Sequence, residues 1–134
     1  MTTISAEDRT TVLVCITCRI PTDPADAPRK GLDLADATLH ALGDRQDIDV
    51  KRVRCLGNCH RGLTAAIRRD NAWTYVFGNL DAERDGTTLI AGARLFATAA
   101  DGLMPWRGRP EPLKRGLIAR VPPVDFAGEP RASP

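Results

Sequence analysis

Four cysteines in two close pairs are the residues of this chain best suited to chemistry. Cys15-Ile-Thr-Cys18 and Cys55-Leu-Gly-Asn-Cys59 give a C-x2-C pair, 36 intervening residues, and a C-x3-C pair. Thiolates are soft ligands that suit zinc, copper(I) and iron–sulfur clusters. Two short-spaced pairs brought together make a four-thiolate site, which fits either a zinc ion or a [2Fe–2S] cluster. Gly57 lets the second loop reach positive φ, so backbone N–H groups can turn toward sulfur and help set a redox potential. Charge does not choose between the two metals, since either centre carries the same net negative charge with four thiolates. Arg19, Lys51, Arg52, Arg54 and Arg61 lie near the ligands in sequence and could offset it. They read equally as a solvated basic face or as a docking surface for an acidic partner.

Other chemistry fits less well. Cys15-Ile-Thr-Cys18 after a strand is also the pattern of a dithiol oxidoreductase, whose nucleophile gains from a helix N-terminus. Here Pro21, Pro24 and Pro28 hold the following stretch out of helix, and the second cysteine pair has no task in such a mechanism. His60 adjoins Cys59, but adjacent residues point apart, so it reads as a neighbour of the site rather than a ligand. His40 reads as a surface residue of a helix. The sequence has no phosphate-binding loop, glycine fingerprint or nucleophile elbow, and no carboxylate pair placed as acid and base. No catalytic residue is assigned and no enzymatic activity is expected.

The totals describe a single domain. With 134 residues there is chain for one core. A hydrophobic content of 43% and a charged content of 27% fit a soluble globular protein, and a net charge of +2 does not by itself call for nucleic acid. No run is long enough to span a bilayer, and the N-terminus lacks the basic and apolar regions of a secretion signal. The expected compartment is the cytoplasm, where paired cysteines bind metals or work in redox chemistry more often than they form structural disulfides.

Two strands must deliver the cysteines. Thr11–Cys15 is a short β-branched run, apolar on both faces, which suggests a strand buried in a sheet centre. From Lys30 to Leu42 the pattern is helical, with Leu32, Ala35, Leu39 and Leu42 on one face and Gly43 as the stop. Ile48–Arg54 reads as a second strand ending at Cys55. Residues 64–69 and 72–78 read as a hairpin around Asp70-Asn71, with Trp73, Tyr75 and Phe77 covering one sheet face. Residues 87–100 fit a second helix, capped by Asp85 or Thr87 and ended by Gly102. This order suggests an α/β sandwich with a mixed sheet of about four strands and two helices, as in thioredoxin-like domains. Both cysteine pairs then leave the ends of neighbouring strands.

The expected domain is residues 1–104, with residues 1–10 as a loose lead-in and residues 105–134 as an extended Pro- and Arg-rich arm and tail. Pro105, Pro110, Pro112, Pro122 and Pro123 argue against long regular elements in the arm, and residues 124–134 are expected to be disordered. The arm has one aromatic residue and no nucleic-acid module, so no nucleic acid or membrane partner is expected. It is expected to lie on the domain or on a second subunit, in a homodimer.

The Cys55-Leu-Gly-Asn-Cys59-His-Arg-Gly62 stretch resembles the second cysteine pair of thioredoxin-like [2Fe–2S] ferredoxins. Nearly the whole chain is similar to a bacterial family of predicted metal-binding proteins of unknown function. The shared features are Cys15-x-x-Cys18, the Cys55–Cys59 stretch, Tyr75-Val-Phe-Gly78, Trp106, Arg109-Pro110 and Arg120-Val-Pro-Pro123. The resemblance implies a [2Fe–2S] cluster on Cys15, Cys18, Cys55 and Cys59, serving electron transfer to a partner protein or redox sensing. Because members of that family tend to lie near cobalamin and cobalt-handling genes, it also implies a place in cobalamin metabolism. In many thioredoxin-like ferredoxins the first two ligands are further apart than Cys15 and Cys18. The tight spacing is also that of zinc knuckles, which leaves a zinc- or cobalt-binding accessory protein without redox activity as the alternative.

Overall fold

The computed structural model describes residues 9–20, 22–24, 26–58 and 61–130. The lead-in residues 1–8, Cys59, His60 and residues 131–134 lie outside the described residues. Five strands and three helices follow in the order β1 (Thr10–Cys15), α1 (Lys30–Leu42), β2 (Ile48–Val53), β3 (Leu63–Arg68), β4 (Thr74–Leu80), α2 (Asp85–Ala97), α3 (Glu111–Arg115) and β5 (Leu117–Val121). The strands form one mixed sheet in the order β2-β1-β3-β4-β5.

β1 and β2 run parallel, from Thr10 opposite Ile48 to Cys15 opposite Val53. A parallel pair needs a long crossover, and α1 supplies it. The remaining pairings, β1 with β3, β3 with β4 and β4 with β5, are antiparallel. Val12, Val14, Ile48, Ala65, Ile67, Tyr75 and Phe77 form one core with Leu34, Ala35 and Leu42 of α1 and Leu89, Ile90, Ala93 and Phe96 of α2. The alternating aromatics thus do cover the sheet: Tyr75 and Phe77 are 1% and 0% exposed and stack at 6.3 Å. His40 is an exposed residue of α1, as its position in the helical pattern predicts. The two long helices cross closely at Gly86, where a Cβ would stand 2.6 Å from the Ala37 carbonyl carbon.

Two sequence expectations need correction. Among the described residues the sheet has five strands and there are three helices, because the stretch after Met104 is not simply extended. Pro110 and Pro112 sit at the start of α3, where a missing N–H costs no helical hydrogen bond. The following Leu117–Val121 is free of proline and pairs with β4 from Thr74–Val121 to Phe77–Leu117. It is an edge strand, so Pro122 and Pro123 end it without breaking a ladder. Leu113 is fully buried. Arg109, 7% exposed, holds the preceding turn by donating to the carbonyls of Met104 (2.6 Å) and Pro105 (3.2 Å). The α2 helix starts two residues earlier than expected and is capped by neither Asp85 nor Thr87 in the expected way. Asp81 accepts the N–H groups of Glu83 and Arg84, and Asp85 reaches back to accept the Asp81 N–H at 2.6 Å. These carboxylate–backbone bonds hold the Asp81 carboxyl below its usual range. The helix ends at Thr98 rather than near Gly102.

Candidate metal centre

The parallel pairing of β1 and β2 carries both cysteine loops to one end of the sheet. β3 runs antiparallel and begins at that same end, so the loop between β2 and β3 stays there. Three further contacts bind the loops. The Ile16 N–H donates to Val53 O at 2.9 Å, the Thr17 hydroxyl donates to Arg54 O, and the Gly31 N–H of α1 donates to Cys18 O at 3.0 Å.

Cys15 and Cys18 are almost wholly buried, at 1% and 2% exposure, whereas Cys55 is exposed. The Cys15 Sγ lies 3.6 Å from the Thr17 hydroxyl and 3.8 Å from Arg54 O. Burial alone pushes the Cys15 thiol up. Hydrogen bonds from the Cys18 thiol, from Thr17 and from the Leu56 backbone prevail, and the thiol ends below its ordinary value. Cys18 is pushed up to about 12, by burial first and then by the hydrogen bond and charge of Cys15.

The second loop has the backbone that the sequence predicts. Gly57 has φ +75° and its N–H donates to Cys55 Sγ at 3.2 Å. Gly62, at φ +73°, turns the chain into β3. Thr64 beside Cys18 receives the Asn58 amide at 3.1 Å and donates to Gly62 O at 3.2 Å, which ties the loop to the first strand pair.

The structure thus buries the Cys15 and Cys18 thiols near enough to shift each other's ionisation and sets the segment leading to Cys55 against Cys15 through Arg54 O. Among the described residues no three His, Cys, Asp or Glu side chains are gathered as a metal site; Cys59, the fourth expected ligand, lies outside them. The donors that are described fit a soft metal centre in their chemistry: two thiols shielded from water and a third held by a backbone N–H. Thr17, Thr64 and Gly31 support the site and were not among the expected site residues. A threonine is a common enough strand residue that only its neighbours in space give it this role.

A protein-family model described as "Protein of unknown function (DUF1636)" matches residues 12–123. The chain belongs to this family. The match begins within β1 and runs through β5, so all four cysteines fall inside it. No curated protein matches the chain in sequence. Among solved structures, a thioredoxin-like [2Fe–2S] ferredoxin from Aquifex aeolicus is similar over 88% of this chain and 98% of its own, with a TM-score of 0.55 and 18% sequence identity. The fold is thioredoxin-like, as the order of elements implies, with β5 added to the four expected strands. No helix among the described residues is long and apolar enough to cross a membrane.

Proposed function

We propose that this protein holds one [2Fe–2S] cluster on Cys15, Cys18, Cys55 and Cys59 and exchanges single electrons with a partner protein. The observation that supports it most is the asymmetry of the thiols. Two are sealed inside the sheet end, while Cys55 is open to solvent and receives a backbone N–H. Burial on one side stabilises a centre, and exposure on the other gives a short path for an electron. A structural zinc site needs no such opening. When bound, the cluster would supply reversible one-electron chemistry. The chain's own groups would hold it, with the Gly57 N–H offsetting charge on sulfur. No catalytic step is assigned to the protein. A role in cobalamin metabolism rests on the family resemblance alone.

The test is anaerobic purification followed by the visible spectrum and by assays of iron, acid-labile sulfide and zinc. A brown protein with about two irons and two sulfides per chain is expected. Alanine at any of the four cysteines should abolish the spectrum. A colourless protein with about one zinc and no sulfide after anaerobic reconstitution would replace this reading with a zinc-binding one. Full iron retention in the Cys18→Ala protein would overturn the ligand assignment.

A further inference from the structure

Opposite Thr64 the ladder between β3 and β4 is interrupted. Leu63 pairs with Leu80 and Ala65 with Phe77, so Thr64 faces both Gly78 and Asn79, a β-bulge. Asn79 has φ +55°, but Gly78 does not have a positive φ. Glycine weakens a strand interior, and where its backbone conformation does not call for it, it marks a close approach. Here the close approach is made by Asn58, a half-buried residue of the second cysteine loop. A Cβ on Gly78 would stand 2.9 Å from Asn58 Nδ2, with Ile118 Cδ1 at 3.1 Å and Arg61 O at 3.2 Å. From this seat Asn58 Nδ2 donates to Thr64 Oγ1 at 3.1 Å, and Thr64 Oγ1 donates to Gly62 O at 3.2 Å. The Asn58 carbonyl accepts the Arg61 N–H at 3.1 Å. Thr64 itself is fully buried in β3, which is paired on both sides. The bulge, the missing Cβ and the buried hydroxyl thus converge on one amide between Cys55 and Cys59.

We infer that Asn58 is a positioning residue for the metal centre: seated between the Thr64 hydroxyl and the space left by Gly78, it latches the Cys55–Cys59 loop to the sheet and governs how firmly the centre keeps its metal. The inference rests on the proposed four-cysteine centre and holds for a cluster or a zinc ion alike. Asn58 acts through the loop, because its Nδ2 is engaged by Thr64 and its carbonyl by Arg61. A bulge beside a functional site re-aims a side chain, and here the one re-aimed is the anchor of the more exposed cysteine pair. Metal leaves such a centre when the loop opens locally while the sheet stays intact, and the latch opposes that opening.

The test is the rate of metal release from the full-length protein. The protein is loaded anaerobically with iron and sulfide, or with zinc where it takes only zinc. Release is timed with excess bathophenanthroline disulfonate for iron or 4-(2-pyridylazo)resorcinol for zinc. Thr64→Val keeps the side-chain shape and removes the hydroxyl. Thr64→Val and Asn58→Ala should each speed release about tenfold, the usual effect of losing one buried hydrogen bond. Failure of both to load, where Thr64→Ser loads fully, upholds the latch equally. Thr64→Ser keeps the hydroxyl and should release at close to the wild-type rate. Gly78→Ala should speed release in the wild-type background and add little to Asn58→Ala, since the amide it displaces is then gone. Gly86→Ala, strained at the contact between the helices, gives the rate that lost stability alone produces. Wild-type release in Asn58→Ala or Thr64→Val, fast release in Thr64→Ser, or equally fast release in Gly86→Ala would overturn the latch. Should Gly78→Ala fail to fold, Thr64→Val and Thr64→Ser decide alone. Zinc without sulfide overturns the redox role and leaves the latch to be read from zinc release. Iron and sulfide with unchanged release in the variants overturns the latch and leaves the redox role. A chain that takes up neither metal overturns both.

Discussion

Gly31 is where the helix layer and the cysteine loop meet, and alanine there should damage both. It is the second residue of α1, and its N–H donates to Cys18 O at 3.0 Å. A Cβ would overlap the Cys15 carbonyl oxygen and stand 3.1 Å from the Ile16 carbonyl carbon. Both neighbours are backbone, so neither can swing aside as a side chain would. Alanine gains roughly 0.5–1 kcal/mol over glycine within a helix, less at its first turn. Overpacking of a rigid interior costs about 1–3 kcal/mol. The balance is a loss of about 1–2 kcal/mol, or about 1 M in urea midpoint at the usual slope for a small protein. Gly86 provides the control. It is the second residue of α2, and its Cβ would meet the Ala37 carbonyl carbon and oxygen at 2.6 and 2.7 Å, between the helices. Gly86→Ala should cost a similar amount of stability. Only Gly31→Ala should displace the Cys15–Cys18 loop and lower the metal or cluster content of the purified protein. Urea unfolding of both variants, with metal analysis of each, measures the two effects separately. The reasoning is refuted if Gly31→Ala keeps the wild-type midpoint, or if Gly86→Ala loses metal to the same extent at equal stability.

Other perturbations follow from the same contacts. Arg109→Ala removes two hydrogen bonds to carbonyls and the stacking of the guanidinium over Tyr75 and Trp106 at 5.4 and 5.2 Å. It should cost about 3 kcal/mol, a fall of about 10 °C in Tm by circular dichroism, and an unchanged melt would disprove it. Asp81 has its pKa lowered by the backbone N–H groups of Arg84 and Glu83, so its stabilising effect is whole above the ordinary value of 3.8 and is lost as pH falls through the lower folded value. The stability gap between wild type and Asp81→Asn should therefore be widest near neutral pH and narrow in acid; a gap that widens in acid contradicts this. Ending the chain after Met104 removes β5 and the buried Leu113, and should abolish cooperative unfolding, whereas ending it after Phe126 should leave the melt intact.

Much of the frame was legible because it is written in local signals. The run Thr11–Cys15, the helical stripe closed by Gly43, and the alternation through Tyr75 and Phe77 each fix an element within its own window, and the observed strands and α1 start and stop within two residues of those readings. The strand after Leu113 failed that test for a physical reason. Within a sequence window, a proline argues against regular structure. At Pro110 and Pro112 it stands in a first helical turn, and at Pro122 it stands just past an edge strand, so at neither place does the fold need the missing N–H. The useful signal was the proline-free Leu117-Ile-Ala-Arg-Val121 following Gly116, whose own Cβ would stand 2.5 Å from Pro112 O.

The candidate site divides in the same way. Its cysteines are legible because a soft ligand at short spacing is rare without a use. Their placement on neighbouring strand ends follows from one crossover helix between two strands. What holds them is not legible. Thr17, Gly31 and Thr64 are ordinary residues whose roles arise from pairing across 37, 13 and 46 residues of chain, to Arg54 O, Cys18 O and the Cys18 thiol respectively. Those pairings exist only once β1 lies between β2 and β3. The central position of β1 is therefore as much a part of the site as the thiols. It lets one short loop be clamped by a helix N-terminus, a parallel neighbour and an antiparallel neighbour at once. A cysteine pair on an edge strand would have had one of these clamps and an open side. Here the open side falls to Cys55 on the edge strand's exit, while the inner pair stays buried.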